Sequence, residues 1–128
     1  MTESQVDTQV IANLVIRNGD GHVLLVQYDA EDPRWWLPGQ DVEPFTHPDD
    51  AAKAVLADLG GLTAQSCTLA FVESFRGRRG WHLAFHYDVR VDGAPSGAQP
   101  TQWFDPAELP KTAHGGWEKS VVKRVFES

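Results

Sequence analysis

Two rhythms of apolar and polar positions run along this chain. Residues 9 to 17 concentrate aliphatic and β-branched side chains (Val10, Ile11, Leu14, Val15, Ile16), and residues 22 to 28, His-Val-Leu-Leu-Val-Gln-Tyr, do the same. Between them Asn18-Gly19-Asp20-Gly21 supplies residues that accept positive φ, so the pattern predicts two antiparallel strands joined by a hairpin turn. A polar loop from Asp29 to Arg34 leads into Trp35-Trp36-Leu37-Pro38-Gly39, read as a short strand ended by Pro38 and Gly39. From about Pro48 to Leu59 the period changes to that of a helix, with Ala51, Ala52, Val55, Leu56 and Leu59 on one broad apolar face. Thr46 offers an N-cap hydroxyl with Asp49 three residues later, Pro48 fits the first turn, and Gly60-Gly61 supplies a left-handed stop.

Alternation returns over about residues 65–75 and 81–91, joined by Arg76-Gly77-Arg78-Arg79-Gly80. In the second strand Trp81, Leu83, Phe85, Tyr87 and Val89 alternate with His82, Ala84, His86, Asp88 and Arg90, which predicts one core face and one polar face. After a Gly/Ala/Pro/Ser connection over residues 92–100, Thr101 to Phe104 reads as a short strand. A C-terminal helix over about residues 116–126 places Trp117, Val121, Val122, Val125 and Phe126 on an inner stripe. No internal repeat or linker interrupts this order, so residues 1–128 read as one α/β (α+β) domain.

Composition narrows the reading. With 128 residues, 41% of them hydrophobic, the chain can bury a core without disulfides or metal. No run of eighteen apolar residues occurs, and the N-terminus lacks the basic and apolar regions of a signal peptide, so the expectation is a cytoplasmic protein with no membrane partner. Cys67 is the only cysteine. It excludes a disulfide framework, and its apolar surroundings in sequence predict a buried, unreactive thiol. Eleven basic against eighteen acidic residues give a net charge of −7, which repels a polyanion, so duplex nucleic acid is not an expected partner. A small phosphorylated molecule is compatible, held by local groups such as Arg34, Arg76, Arg78 and Arg79 or by a bridging cation.

The order of elements carries a resemblance. A hairpin, the strand end Trp36-Leu37-Pro38-Gly39, the loop pair Val42-Glu43, a helix closing in Gly61-Leu62, further antiparallel strands, a Trp-Phe element followed by Glu-Leu, and a terminal helix together resemble the Nudix (MutT-like) hydrolases from about Val10 to Phe126. The resemblance implies a mixed or antiparallel sheet sandwiched between helices. It also implies metal-dependent hydrolysis of nucleoside diphosphate derivatives. The family signature is G-x5-E-x7-R-E-U-x-E-E-x-G-U, with U a bulky aliphatic residue. Anchored without a gap on Leu37-Pro38-Gly39 and Gly61-Leu62, it sets its first glycine on Gln40, its loop glutamate on Thr46 and its arginine on Ala54. Its helix carboxylates fall on Val55, Asp58 and Leu59.

That register has a chemical consequence. Residues at i, i+3 and i+4 share a helix face, and the family's glutamates converge there on Mg²⁺. Val and Leu supply no hard oxygen ligand, so Asp58 remains the single metal candidate of the helix, and Mg²⁺ or Mn²⁺ is expected to bind weakly. Asp58 and the loop acid Glu43 are the catalytic candidates. Gly39, Gln40, Trp36, Arg34, Glu73 and Arg76 are the ligand-binding candidates, with Trp35, Trp36 or Trp103 able to stack a planar group. Glu73, in an apolar strand, needs a partner, which Arg76 or an arginine of the following turn could supply. His82, His86 and Asp88 share a strand face, but histidines four apart on a strand lie about 13 Å apart, too far to share an ion. The expected function is binding of a nucleotide-type or other phosphorylated small molecule, with hydrolysis weak or absent. Two alternatives stand beside it. One is a working pyrophosphohydrolase with a rearranged site that draws on Glu73 or Glu108; the other is a fold recruited for protein interaction or homodimerisation through the filled-in helix face.

Overall fold

The structure, a computed structural model, describes residues 8–29, 31–77 and 80–127. In chain order its elements are β1 (Thr8–Arg17), β2 (Val23–Val26), β3 (Gly39–Asp41), α1 (Pro48–Leu59), β4 (Leu62–Gly77), β5 (Gly80–Gly93), β6 (Thr101–Phe104) and α2 (Trp117–Glu127). The sheet runs β4-β5-β1-β2-β6, with β3 paired to the first half of β1. β1 and β5 are parallel and the other pairs antiparallel, so the sheet is mixed. At the predicted hairpin turn Asn18 Oδ1 accepts from the backbone N–H groups of Asp20 and His22, and Gly21 adopts φ 77°.

Both faces of the sheet are covered, which is why β1 and β2 read as continuous apolar runs rather than strict alternation. On one face α1 contributes Ala51, Ala52, Val55 and Leu59 to a core with Leu14, Ile16, Leu24, Tyr87 and Val89. On the other, α2 sets Val121, Val122 and Val125 against Val15, Val23, Leu25 and Leu37. No helix among the described residues is long and apolar enough to cross a membrane.

Four local expectations are corrected. The N-cap of α1 is His47, whose Nδ1 accepts from the Asp49 N–H at 3.1 Å, while the Thr46 hydroxyl turns back to the Glu43 carbonyl. The predicted polar face of β5 is largely interior, because α2 and Phe71 cover it: Ala84 and His86 are fully buried, and Asp88 is half-buried in a bidentate pair with Arg17. Cys67 is exposed, because β4 is the edge of the sheet and most of its first nine residues face solvent. Glu73 pairs not with Arg76 but with His86 and Trp117, since successive strand residues point to opposite faces and Glu73 shares its face with these rings.

Candidate functional site

The candidate site is a cavity of about 740 Å³ at the end of the sheet where β1, β3 and the start of β5 meet the segment leading into α2. Its wall is built from the extended stretch that follows the Asp29–Arg34 loop. Trp36 exchanges backbone hydrogen bonds with Val26 at 2.8 and 2.9 Å, Trp35 pairs with Lys111 and Ala113, and the Pro38 carbonyl accepts from the Leu14 N–H. These bonds pin a segment that lacks a regular ladder and aim Trp36 into the cavity.

Gly39 closes the wall. Its N–H donates to the Tyr28 hydroxyl at 2.9 Å, and that hydroxyl donates back to the Gly39 carbonyl at 3.1 Å. A Cβ here would lie 2.4 Å from Asn13 Oδ1 and 2.7 Å from the Ala12 carbonyl oxygen, so only glycine fits against β1. Local desolvation of the Tyr28 hydroxyl, partly offset by its hydrogen bond with Gly39 and reinforced by the charge of Asp58, raises its pKa above the ordinary value, so it remains a neutral donor and acceptor at physiological pH although the ring is partly exposed.

The far wall comes from the turn before α2 and from its first residues. Glu118 is 1% exposed. Its carboxylate accepts from the His114 N–H at 3.1 Å and lies 2.6 Å from His114 Nδ1, which therefore carries the proton. The His114 ring stands edge-on to Trp36 and to Trp117, with centroids 5.0 and 5.4 Å apart, and Phe75, His82 and Trp117 continue the aromatic lining. Behind Trp117, its Nε1 donates to Glu73 Oε1, which also holds His86 Nε2 at 2.7 Å. Burial lowers the pKa of His86 despite the Glu73 carboxylate, so the ring is neutral at pH 7. Two buried ring nitrogens of cavity-lining residues, Trp36 Nε1 and His82 Nε2, have no hydrogen-bond partner among the described residues.

Of the residues singled out from sequence, Trp36, Gly39, Gln40 and Arg34 line this cavity. Arg34 does so with most of its donors engaged: Nε and Nη2 bond Asp32, whose carboxyl is held down at about 2 by that guanidinium, and Nη1 donates to the Ala113 carbonyl. Glu43, Asp58, Glu73 and Arg76 do not line it. Glu43 and Asp58 are exposed, and Arg78 and Arg79 lie outside the described residues. Val55 and Leu59 point into the core at 3% and 6% exposure. Sequence reasoning missed His114 and Glu118. A signal was available, because Glu118, Val121, Val122 and Val125 fall at i, i+3, i+4 and i+7, which places an acid on an apolar stripe.

The mixed sheet, the helix after the Leu37-Pro38-Gly39 wall and the terminal helix closing the cavity repeat an architecture found in solved structures. A MutT Nudix hydrolase from Burkholderia pseudomallei superposes over 94% of this chain and 97% of its own, with TM-score 0.71 and 20% identity. The fold is that of the Nudix hydrolases. The ORF135 protein of E. coli matches over 95% of this chain and 91% of its own (TM-score 0.74, 18% identity), and a UDP-X diphosphatase over 98% and 64% (TM-score 0.78, 17% identity). No family profile matches the chain, and no curated protein matches it by sequence. Nudix hydrolases generally use divalent metals, yet among the described residues no three His, Cys, Asp or Glu side chains converge to hold an ion. Of the three α1 residues that the resemblance sets at carboxylate positions, Asp58 is exposed and Val55 and Leu59 are turned into the core.

Proposed function

We propose that this Nudix-fold chain binds a nucleotide-type or other phosphorylated small molecule in the cavity beneath Trp36 and His114 and hydrolyses it weakly or not at all. The observation that carries the reading is an open cavity walled by Trp36, Phe75, His114 and Trp117, beside a helix whose Val55 and Leu59 are spent on the core. Trp36, Trp117 and Phe75 offer flat surfaces to a planar ring. Val55 and Leu59 supply no oxygen to a metal, so on that face of α1 only Asp58 could ligate Mg²⁺ or Mn²⁺, and weak binding is expected.

The solved relatives that bear the names MutT Nudix hydrolase and UDP-X diphosphatase favour a nucleoside diphosphate derivative as the ligand class and make turnover the competing outcome. One experiment separates them. A panel of nucleoside di- and triphosphates and nucleotide sugars is assayed for thermal stabilisation and, with Mg²⁺ or Mn²⁺, for phosphate release. Stabilisation by at least one compound without turnover is expected, and the shift is reduced in Trp36→Ala, which removes an aromatic wall of the cavity. Steady metal-dependent phosphate release would replace this reading with that of a hydrolase whose site is assembled differently.

A further inference from the structure

Most of the charged and polar groups around the cavity are already committed within this chain. Arg34 bonds Asp32 and the Ala113 carbonyl, Glu118 accepts from His114, and the Tyr28 hydroxyl exchanges hydrogen bonds with the backbone of Gly39. Asp41 adds a second carboxylate to the lining. With its guanidinium paired and two acids in its wall, the interior repels a phosphate and suits an uncharged group.

The floor of the cavity is β1. Side chains alternate along a strand, so Gln9, Ile11 and Asn13 project from one face, and all three line the cavity; the next on that face, Val15, is covered by α2. Asn13 therefore stands where the cover of α2 ends. It is 6% exposed, between the fully buried Ala12 and Leu14, and its Oδ1 occupies the space that a side chain at Gly39 would need. Among the lining residues only Asn13 and Glu118 are polar and more than nine-tenths buried. Glu118 is tied to His114, whereas the Asn13 side chain bonds no other described residue. A carboxamide so placed adds nothing to the packing of β1 that an aliphatic side chain would not supply. What it adds is a donor and an acceptor, side by side, at the bottom of an aromatic-walled space.

We propose that Asn13 is the specificity-determining residue of this cavity: its carboxamide takes the polar edge of a nucleobase stacked on the wall of Trp36, Phe75 and Trp117, and the phosphates stay at the mouth. The inference rests on the reading of the chain as a binder of a nucleotide-type molecule. Every base has a flat face, so the rings hold all bases alike. Each base orders the donors and acceptors of its edge differently, and an amide fixed in place matches some orders with two hydrogen bonds and others with one or none.

Binding of adenosine, guanosine, cytidine and uridine, of their 5′-diphosphates and of inorganic pyrophosphate to the purified full chain, measured by calorimetry, tests this. The four diphosphates are expected to span at least about tenfold in dissociation constant, the size of one good bidentate contact, with the nucleosides in the same order and no binding of pyrophosphate alone. Asn13→Ala keeps the melting temperature within a few degrees, because its side chain has no internal bond to lose, and narrows the spread to within about threefold. Trp36→Ala weakens all four bases and preserves their order. Equal binding of the four bases by the parent overturns the proposal and leaves the nucleotide reading standing. So does a spread that survives Asn13→Ala, a collapse of melting temperature in that variant, or pyrophosphate binding as tightly as the diphosphates. Failure of every compound to bind removes the nucleotide reading and the role of Asn13 with it.

Discussion

Replacing Val55 and Leu59 by glutamate, with Thr46→Glu and Ala54→Arg, brings α1 and the loop before it close to the Nudix signature, leaving Gln40 and Asp58 as they are, and puts the register to a physical test. Both aliphatic side chains sit in the core with Leu14, Leu24 and Tyr87. Losing their burial forfeits about 1.5–3 kcal/mol each, and enclosing an unpaired carboxylate costs several more at each site. The combined penalty is roughly 10 kcal/mol, comparable with the whole stability of an ordinary domain. A buried glutamate resists ionisation, so its folded pKa rises above the unfolded value of about 4.3. The stability gained by protonating it is fully present below that value and is lost as pH rises through the folded pKa. The variant therefore melts far below the parent at pH 8 and regains stability towards pH 5. If the helix positions converge on one cleft, Mg²⁺ held by the new carboxylates stabilises the folded state alone, by about 2.7 kcal/mol at a hundredfold excess over its dissociation constant. For a domain of this size that is roughly 10 °C in melting temperature. The assay is a set of melting curves across pH, with and without Mg²⁺. A variant that melts like the parent at pH 8 would refute the placement of Val55 and Leu59 in the core, and a variant that keeps a melting transition at pH 8 yet is indifferent to Mg²⁺ would refute the register.

Two smaller perturbations follow from the site. The folded pKa of His86 is depressed, so below the unfolded value of about 6.5 the unfolded chain takes a proton that the buried ring refuses. Stability should therefore decline on acidification from pH 7.5 until the folded pKa is passed. His86→Phe should flatten that slope while costing about 1 kcal/mol at pH 7.5 through the lost bond to Glu73, and an unchanged slope in denaturant titrations would contradict the burial argument. Gly39→Ala would force a methyl group onto Asn13 Oδ1 and the Ala12 carbonyl, so a loss of about 1–3 kcal/mol is expected together with weaker nucleotide-induced stabilisation; an unaffected melting curve would mean that the wall at Gly39 is not closed as described.

Local periodicity in the sequence was enough to locate α1, because its apolar spacing, Pro48 and Gly60-Gly61 act within a single turn of chain and agree with one another. The hairpin at Asn18–Gly21 and the α2 stripe were legible for the same reason, since turn chemistry and amphipathic period are properties of neighbours in sequence; residues 35–39, read as a short strand ended by Pro38 and Gly39, instead form isolated bridges at Trp35 and Trp36, and the strand β3 begins at Gly39. What no local pattern contains is which face of a strand another element will cover. β5 reads as half polar, yet His86 is fully buried, because α2, more than thirty residues later, packs its Trp117 against it. β4 reads as an apolar core strand, yet its position at the sheet edge leaves Cys67 and Leu69 in solvent. The same holds at the site. The stretch that sets Trp36 and Gly39 beside each other could be read directly, whereas the His114–Glu118 pair joins that wall only through the closing turn before α2, whose Ala113 backbone meets Trp35 across more than seventy residues. The aliphatic character of Val55 and Leu59 beside Asp58 was written in the sequence; that these two turn inward, rather than into an open cleft, was decided by the sheet against which α1 buries its apolar face.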